Sequence, residues 1–201
     1  MIELKNITKK YVIGDSEYMA LKGISFKIDK GEFVAIMGPS GSGKSTLIRI
    51  ISGVESPESG TIEINGNSYK KLTVRQAMRE GVQVIYQDLS LFPDLSVGEN
   101  IAFNWLVENS QWLINQKEYL QRANEELERL DSKIDMKEQV SNLSMSQKQI
   151  VAIARALVLD AKLLIFDEPT TALTKKEIDT LLKTIEELKQ RNITSIFVSH
   201  K

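Results

Sequence analysis

The feature that most constrains this 201-residue sequence is a glycine-rich stretch between a short apolar run and a helical pattern. The apolar run, Phe33–Met37, is typical of a strand, and apolar residues recur at helical spacing after Lys44. Between them, Gly38 to Ser45 match the pattern Gly-x-x-x-x-Gly-Lys-Ser. Glycines permit backbone conformations in which successive N–H groups face one anion, and a helix N-terminus adds the positive end of its dipole. The stretch therefore predicts a phosphate-binding loop; an ordinary glycine-rich turn is the alternative.

The predicted loop gives its residues distinct roles. We expect Lys44 to reach the β- and γ-phosphates of a nucleotide and Ser45 to ligate Mg²⁺. The predicted nucleotide-binding residues of the loop are consecutive: Gly38, Pro39, Ser40, Gly41, Ser42, Gly43, Lys44, Ser45 and Thr46. The stretch thus indicates a nucleotide site without indicating what the nucleotide is for.

Composition and charge narrow the class of protein. The net charge of -1 gives no general attraction to nucleic acid or to anionic lipid. The absence of cysteine excludes disulfides and thiolate metal sites. No apolar run approaches the roughly 20 residues that span a bilayer, and the N-terminus lacks the apolar core of a signal peptide. Composition does not fix the compartment, but the cytoplasm is the natural location of a nucleotide-using protein, and if this protein acts at a membrane we expect it to do so through a partner.

Hydrophobic periodicity predicts an α/β fold with an inserted helical region. Residues 2–4 and 24–28 alternate apolar with polar residues, as half-buried antiparallel strands do, and a turn-rich connection is expected between them. Residues 88–159 contain helical patterns but no convincing strand. The patterns do not place the segment 104–116, whose two tryptophans, Trp105 and Trp112, are interpreted as packing anchors.

We accordingly expect a P-loop core formed by residues 1–87 and 160–201. It would contain a mixed sheet and an N-terminal antiparallel β subdomain. A helical subdomain over residues 88–159 would be inserted into it.

Two carboxylates follow a predicted buried strand. Residues 163–166 are all apolar, and Asp167 and Glu168 come next. In open α/β sheets, ligands bind outside the carboxyl ends of the strands. We expect Asp167 to hold Mg²⁺ through water beside Ser45, and Glu168 to polarise the attacking water. The alternative, that acidic side chains end the strand only because it is solvated there, is disfavoured by the phosphate loop upstream.

A further motif precedes a predicted helix near the end of the region 88–159. Residues 143–147 read Leu-Ser-Met-Ser-Gln and are followed by an amphipathic segment and the run LLIFDEPTTAL. This order resembles that of the ABC-transporter ATPases, whose signature motif is usually written LSGGQ, and the resemblance covers the whole chain. It implies that the signature binds ATP in trans, on another subunit's phosphate loop. The residues concerned are Leu143, Ser144, Met145, Ser146 and Gln147.

The resemblance assigns roles to further residues. It implies that Tyr11 stacks on adenine, that Gln87 contacts Mg²⁺ and the attacking water, and that His200 contacts the γ-phosphate. Residues 171–173 lie where the family contacts its second subunit. Each assignment has an ordinary alternative: Tyr11 could cover a sheet edge, Gln87 could be structural, and His200 could be a tag remnant. The predicted catalytic residues are Glu168, His200, Gln87 and Lys44, and the predicted metal ligands are Ser45, Gln87 and Asp167.

The signature departs from the family pattern, because Met145 and Ser146 stand where two glycines are usual. Met145 adds bulk and removes flexibility, so we expect the composite site completed by this signature to be weak. The site on this chain's own phosphate loop keeps the family's lysine, glutamine, glutamate and histidine. That asymmetry resembles the first ATP-binding half of sugar importers of the ribose and galactose type, as do the sequences of residues 79–101 and 167–177. The N-terminal part is also similar to lipoprotein-releasing and macrolide-exporter ATPases.

The resemblance implies ATP hydrolysis with ATP and Mg²⁺ as cofactors. It implies transmembrane permease subunits and a second ATP-binding domain, either a homodimer partner or a tandem half. A periplasmic or extracellular solute-binding protein, a position on the inner face of the cell membrane and no nucleic-acid partner are also expected. The alternatives are an exporter ATPase, a soluble ABC ATPase acting on nucleic acid or ribosomes, and a module that binds nucleotide without hydrolysing it. Family members continue beyond the histidine that corresponds to His200, so we expect this chain to be C-terminally truncated relative to them.

Overall fold

The computed structural model describes residues 1–108, 116–171 and 173–200. The strands within these ranges are β1 (Ile2–Ile13), β2 (Ser16–Ile28), β3 (Phe33–Met37), β4 (Ser59–Ile64), β5 (Asn67–Tyr69), β6 (Val82–Ile85), β7 (Leu163–Asp167) and β8 (Thr194–Ser199). The helices are α1 (Lys44–Ile51), α2 (Val74–Arg79), α3 (Val97–Glu108), α4 (Gln116–Arg129), α5 (Met145–Val158) and α6 (Lys175–Gln190), with a 3₁₀ turn at Val140–Asn142. The side chains of Trp105 and Trp112, predicted as packing anchors, lie outside the described residues.

The predicted α/β class is confirmed, with an antiparallel N-terminal sheet and inserted helices. Strands of both orientations are present, but they are divided between two four-stranded sheets. One sheet is antiparallel, in the order β2-β1-β4-β5, and the other is parallel, in the order β3-β8-β7-β6. The division follows the burial patterns, since β7 is buried along its four apolar residues whereas β2 is mostly exposed. Runs buried on both faces suit the centre of a parallel sheet.

The prediction of a turn-rich connection between the first two strands was wrong. Pairing between β1 and β2 continues from Ile2↔Ile28 to Ile13↔Ser16, and only a two-residue turn at Gly14 separates the strands. The distal part of this hairpin carries exposed hydrophobic residues, with Val12 68% and Met19 39% exposed. An exposed ribbon has no buried face to impose apolar–polar alternation, so periodicity could not reveal it.

The core has two hydrophobic clusters, one on each face of the parallel sheet. One combines α1, the antiparallel sheet and residues such as Ile165 and Val198. The other combines α3, α4, α5 and α6 with residues such as Leu164 and Phe166. Helices between residues 88 and 159 therefore share a core with the sheet, and the division into subdomains stays a prediction. Among the described residues, no helix has the length and apolar content required to cross a membrane.

Two glycines at the ends of secondary-structure elements differ in the space around them. Gly53 follows α1 with φ +76°, and a Cβ there would lie 2.4 Å from the carbonyl carbon of Thr73. Gly66 joins β4 to β5 with φ +87°, and a Cβ there would meet nothing within 4 Å.

Gly66→Ala is therefore expected to lower the free energy of unfolding by about 1 kcal/mol, the cost of a left-handed backbone. Gly53→Ala should cost about 3 kcal/mol more, because the backbone of residues 73–74 must move. Urea denaturation of both variants measures the difference. Equal losses would show that the close contact at Gly53 does not limit stability.

Candidate active site

The four parallel strands bring their carboxyl ends to the same edge of the sheet, the one that runs across the strand ends. The phosphate loop begins at Gly38 directly after β3, and His200 follows β8. Asp167 ends β7 and Glu168 follows it, while Gln87 lies two residues after β6. The strands run in parallel register, so the last residue of β3 pairs with the last residue of β8. Four segments that are distant in sequence are therefore neighbours at the edge where α/β sheets bind ligands.

The phosphate loop is packed closely against strand β2. Gly43 is the N-cap residue of α1 with φ +91°, and a Cβ on it would lie 2.5 Å from the backbone oxygen of Ala20. Inside the loop, the N–H of Ser42 donates to the carbonyl of Pro39 at 3.2 Å. Glycine is therefore required at position 43 both for its backbone conformation and for the approach of β2.

Lys44 provides a cation at this loop. Its ammonium donates to the carbonyl oxygens of Gly38 at 2.6 Å and Pro39 at 3.1 Å, so the side chain folds back over the loop. The first turn of α1 contains no acidic residue, so no carboxylate competes there for the helix N-terminus. The arrangement favours a polyanion in front of the loop.

A cavity of about 420 Å³ lies in front of the loop, and this volume is in the range of small-molecule sites. It brings together the predicted base-stacking residue, most of the loop, and three of the four predicted catalytic residues, Lys44, Glu168 and His200. The lining residues are Tyr11, Tyr18, Ala20, Ser40, Gly41, Ser42, Gly43, Lys44, Ser45, Thr46, Glu168 and His200.

Glu168 and His200 form a pair at the cavity wall. His200 Nδ1 contacts the carboxylate of Glu168 in a short hydrogen-bonded contact. Glu168 has φ +51°, unusual for a residue with a side chain, and its N–H donates to the carbonyl of Val198 at 2.9 Å. Such backbone conformations persist only where the surroundings enforce them, and they cluster at functional sites. The turn carries the carboxylate away from the strand direction and against the imidazole.

Asp167 precedes Glu168 as the last residue of β7, and its carboxyl has a raised pKa. Burial is the main cause, and the neighbouring charge of Glu168 adds to it, while Lys44 acts in the opposite direction. A divalent cation would offset this concentration of negative charge.

The donor set at this edge suits Mg²⁺. Ser45, Asp167 and Gln87 offer only oxygen ligands, which Mg²⁺ prefers. Within the described residues, no group of three or more histidine or carboxylate side chains is arranged as a metal cage. Mg²⁺ is commonly held by one or two protein ligands, water and phosphate oxygens, so the residues present fit this metal.

Gln87 does not line the main cavity. It lies in a narrow adjoining cleft together with Tyr86, Leu89, Met145, Gln149, Glu168, Pro169 and Thr171. Glu168 lines both the cavity and the cleft, so the structure brings Gln87 to the predicted catalytic carboxylate. The central residue of the segment 171–173 lies outside the described residues.

The signature residues begin helix α5. Ser144 caps the helix: its hydroxyl accepts from the N–H of Gln147 at 3.3 Å, and its own N–H donates to the side chain of Gln147 at 2.9 Å. Ser146 lies 3.2 Å from the Ser144 hydroxyl, Leu143 is buried, and Met145 is 39% exposed. None of these five residues lines the cavity in front of this chain's phosphate loop.

Tyr18 is a cavity residue that sequence reasoning missed. It pairs with Tyr11 across the β1–β2 hairpin, and its hydroxyl donates to the carbonyl of Gly41 at 2.7 Å. Residues directly opposite in an antiparallel pair place their side chains on one face. The signal that could have identified Tyr18 is the hairpin register, which was hidden by the expected loop.

Helix α5 also contacts the segments that follow Glu168 and Gln87, the acidic and the amide residue of the cleft. Arg155 donates to the carbonyls of Leu89 at 2.7 Å and Ser90 at 2.8 Å, just beyond Gln87. Gln149 donates to the carbonyl of Pro169 at 2.5 Å, just beyond Glu168. These contacts were not predicted, because a single sequence does not show which loops meet a helix.

Comparisons with known proteins identify relatives of this chain. Residues 21–171 match the model of the family described as ABC transporter. The chain is 37% identical to the ribose import ATP-binding protein of Halalkalibacterium halodurans, over all of this chain and 40% of that protein. It is 40% identical to the D-allose import ATP-binding protein of Escherichia coli, over 90% of this chain and 36% of that protein.

The fold also resembles solved structures. The dimeric structure of an ATP-binding cassette in a post-hydrolysis state, bound to ADP and Pi, superposes with a TM-score of 0.84. That protein is 32% identical to the chain, and the alignment covers all of this chain and 88% of the other. The chain thus spans less than half of the curated relatives and most of the solved cassette.

Proposed function

The chain belongs to the ABC transporter family, and we propose that it is the ATP-hydrolysing cassette of a transporter that imports a sugar. The family's cassettes are P-loop ATPases. The observation that carries the proposal for this chain is the meeting of the phosphate loop, Glu168 and His200 in one cavity. The import of a sugar is supported by the names of relatives, which import ribose and D-allose.

In the proposed reaction, the phosphate loop and Lys44 bind the β- and γ-phosphates. Backbone N–H groups and the ammonium stabilise the charge that develops on the transferred phosphoryl group. Bound Mg²⁺, held by Ser45 and Asp167 and reached by Gln87, would neutralise phosphate charge. Tyr11 stacks on the adenine and thereby orients the nucleotide along the cavity.

Glu168 accepts a hydrogen bond from the attacking water and polarises it toward the γ-phosphorus. His200 holds the carboxylate through Nδ1 and offers its other ring nitrogen toward the γ-phosphate. Gln87 borders Glu168 from the adjoining cleft, where it is placed to respond to the presence of the γ-phosphate.

A second ATP-binding domain would complete the site. Its signature would cover the nucleotide on this chain's phosphate loop, and residues 143–147 of this chain would cover the partner's nucleotide. Met145 makes the second of these sites the weaker one. ATP would draw the two domains together, hydrolysis would release them, and permease subunits would convert that motion into transport. A solute-binding protein outside the membrane would deliver the sugar.

Reconstitution of the full transporter tests this proposal. The complete protein is placed in proteoliposomes with its permease, and ATP hydrolysis is measured with a ribose- or allose-loaded solute-binding protein. We expect a several-fold stimulation by the loaded binding protein and none by DNA or ribosomes. Hydrolysis without any response to sugar would overturn the import half of the proposal, and absence of hydrolysis would overturn all of it.

A further inference from the structure

The hydroxyl of Tyr11 contacts two side chains, one of which belongs to a residue outside the cavity. It donates to a carboxylate oxygen of Glu55 at 2.5 Å and lies 3.3 Å from the hydroxyl of Thr46. Glu55 does not line the cavity, so it has no place in the nucleotide site described above. Its contact with the far end of the Tyr11 ring nevertheless fixes where the face of that ring lies.

Glu55 is itself anchored to helix α1 and to strand β1. Its second carboxylate oxygen accepts from Arg49 at 3.1 Å, and its backbone N–H donates to the carbonyl of Arg49 at 3.0 Å. The ammonium of Lys9 lies 3.9 Å from the carboxylate and 5.5 Å from the centre of the Tyr11 ring. The side chains of Glu55 and Lys9 are only 22% and 16% exposed, so these contacts are partly shielded from water.

The charges around Glu55 favour its ionised form. The hydrogen bond from Tyr11 holds the pKa of the Glu55 carboxyl below its usual range, and Arg49 and Lys9 act in the same direction. An ionised carboxylate is a stronger acceptor than a neutral group, so the hydrogen bond from the phenol is charge-assisted.

We propose that Glu55 is a positioning residue that locks the Tyr11 ring to helix α1, the helix that begins at the phosphate loop. The nucleobase platform and the phosphate site then share one rigid element, and the distance between them is fixed before ADP or ATP binds. Preorganisation of this kind lowers the entropy lost on binding. The inference rests on the proposed nucleotide site and adds to it a residue that never touches the nucleotide.

A positioning role predicts that Glu55 matters for ligands with a base and not for phosphates alone. Calorimetry of the full protein with Mg²⁺ and either ADP or pyrophosphate separates the two. We expect Glu55→Ala to weaken ADP about tenfold, the value of one charge-assisted hydrogen bond, and to change pyrophosphate affinity by less than about twofold. Glu55→Gln keeps an acceptor oxygen and should recover most of the affinity for ADP.

Two further variants sharpen the test. Tyr11→Phe keeps the ring and loses the hydroxyl, so it should match Glu55→Ala, and the double variant should be no weaker than either single variant. Glu63→Ala is the matched control, because Glu63 pairs with Lys5 at 3.2 Å on the exposed part of β4. It should leave both affinities unchanged.

Distinct outcomes overturn distinct statements. Equal weakening of ADP and pyrophosphate by Glu55→Ala would assign Glu55 a structural role and overturn the inference. Additive effects of Glu55→Ala and Tyr11→Phe would do the same, since the two side chains would then act separately. Failure of the unaltered protein to bind ADP would overturn the proposed nucleotide site itself.

Discussion

Glu168→Gln is expected to lower the rate of ATP hydrolysis at least about 100-fold and to leave ATP affinity within about threefold. Glutamine has nearly the same shape and keeps a polar contact with His200, but it cannot polarise a water molecule as a carboxylate does. Glu168 lines both the cavity and the cleft of Gln87, so in the proposed mechanism its replacement should affect the attacking water and not the binding of the phosphates.

Single-turnover hydrolysis, with enzyme in excess over ATP, measures this effect without product release. Glu186→Gln is a matched control, because Glu186 is an exposed acidic residue on α6, away from the site. Equal single-turnover rates for Glu168→Gln and the unaltered protein would remove Glu168 from its proposed catalytic role.

Lys44→Ala is expected to weaken ATP binding about 100-fold, because the triphosphate loses a charge-assisted hydrogen bond in a partly enclosed site. The effect should differ in kind from that of Glu168→Gln, since binding is lost and not only turnover. Equilibrium binding of a fluorescent ATP analogue measures it.

Lys30→Ala provides the control for removal of one positive charge, because Lys30 is an exposed residue in the turn before β3. Its affinity for ATP should equal that of the unaltered protein. A Lys44→Ala variant that binds ATP within about threefold of normal would show that the backbone of the loop, and not the lysine, provides the affinity.

The parts of the site that could be predicted from sequence are the parts encoded locally. The phosphate loop and the pair Asp167–Glu168 each lie at the end of a strand of the parallel sheet, and the direction of that strand fixes where they point. Parallel strands then bring their ends together by a general rule of α/β sheets. A strand pattern followed by a polar residue is therefore sufficient to predict the meeting of these segments.

The residues that sequence reasoning missed depend on contacts between distant segments. Tyr18 reaches the loop because β1 and β2 form a long exposed ribbon, and Glu55 reaches Tyr11 from a turn 44 residues away. Arg155 reaches Ser90 across 65 residues. Neither periodicity nor a motif carries the register or the helix orientation that makes such contacts, so these residues became visible only in three dimensions.

The hydrogen bonds that Gln149 and Arg155 of α5 donate have a mechanical consequence. Gln149 and Arg155 attach the helix to the segments following Glu168 and Gln87, and the signature residues form its first turn. Because a helix moves as a rigid body, a displacement of its N-terminus also displaces the segments that are hydrogen-bonded to it. In the proposed dimer, a displacement of the signature by a second subunit's nucleotide would then be expected to shift the segments next to Glu168 and Gln87 as well. Under the proposed function, helix α5 would thus couple the two nucleotide sites of the dimer.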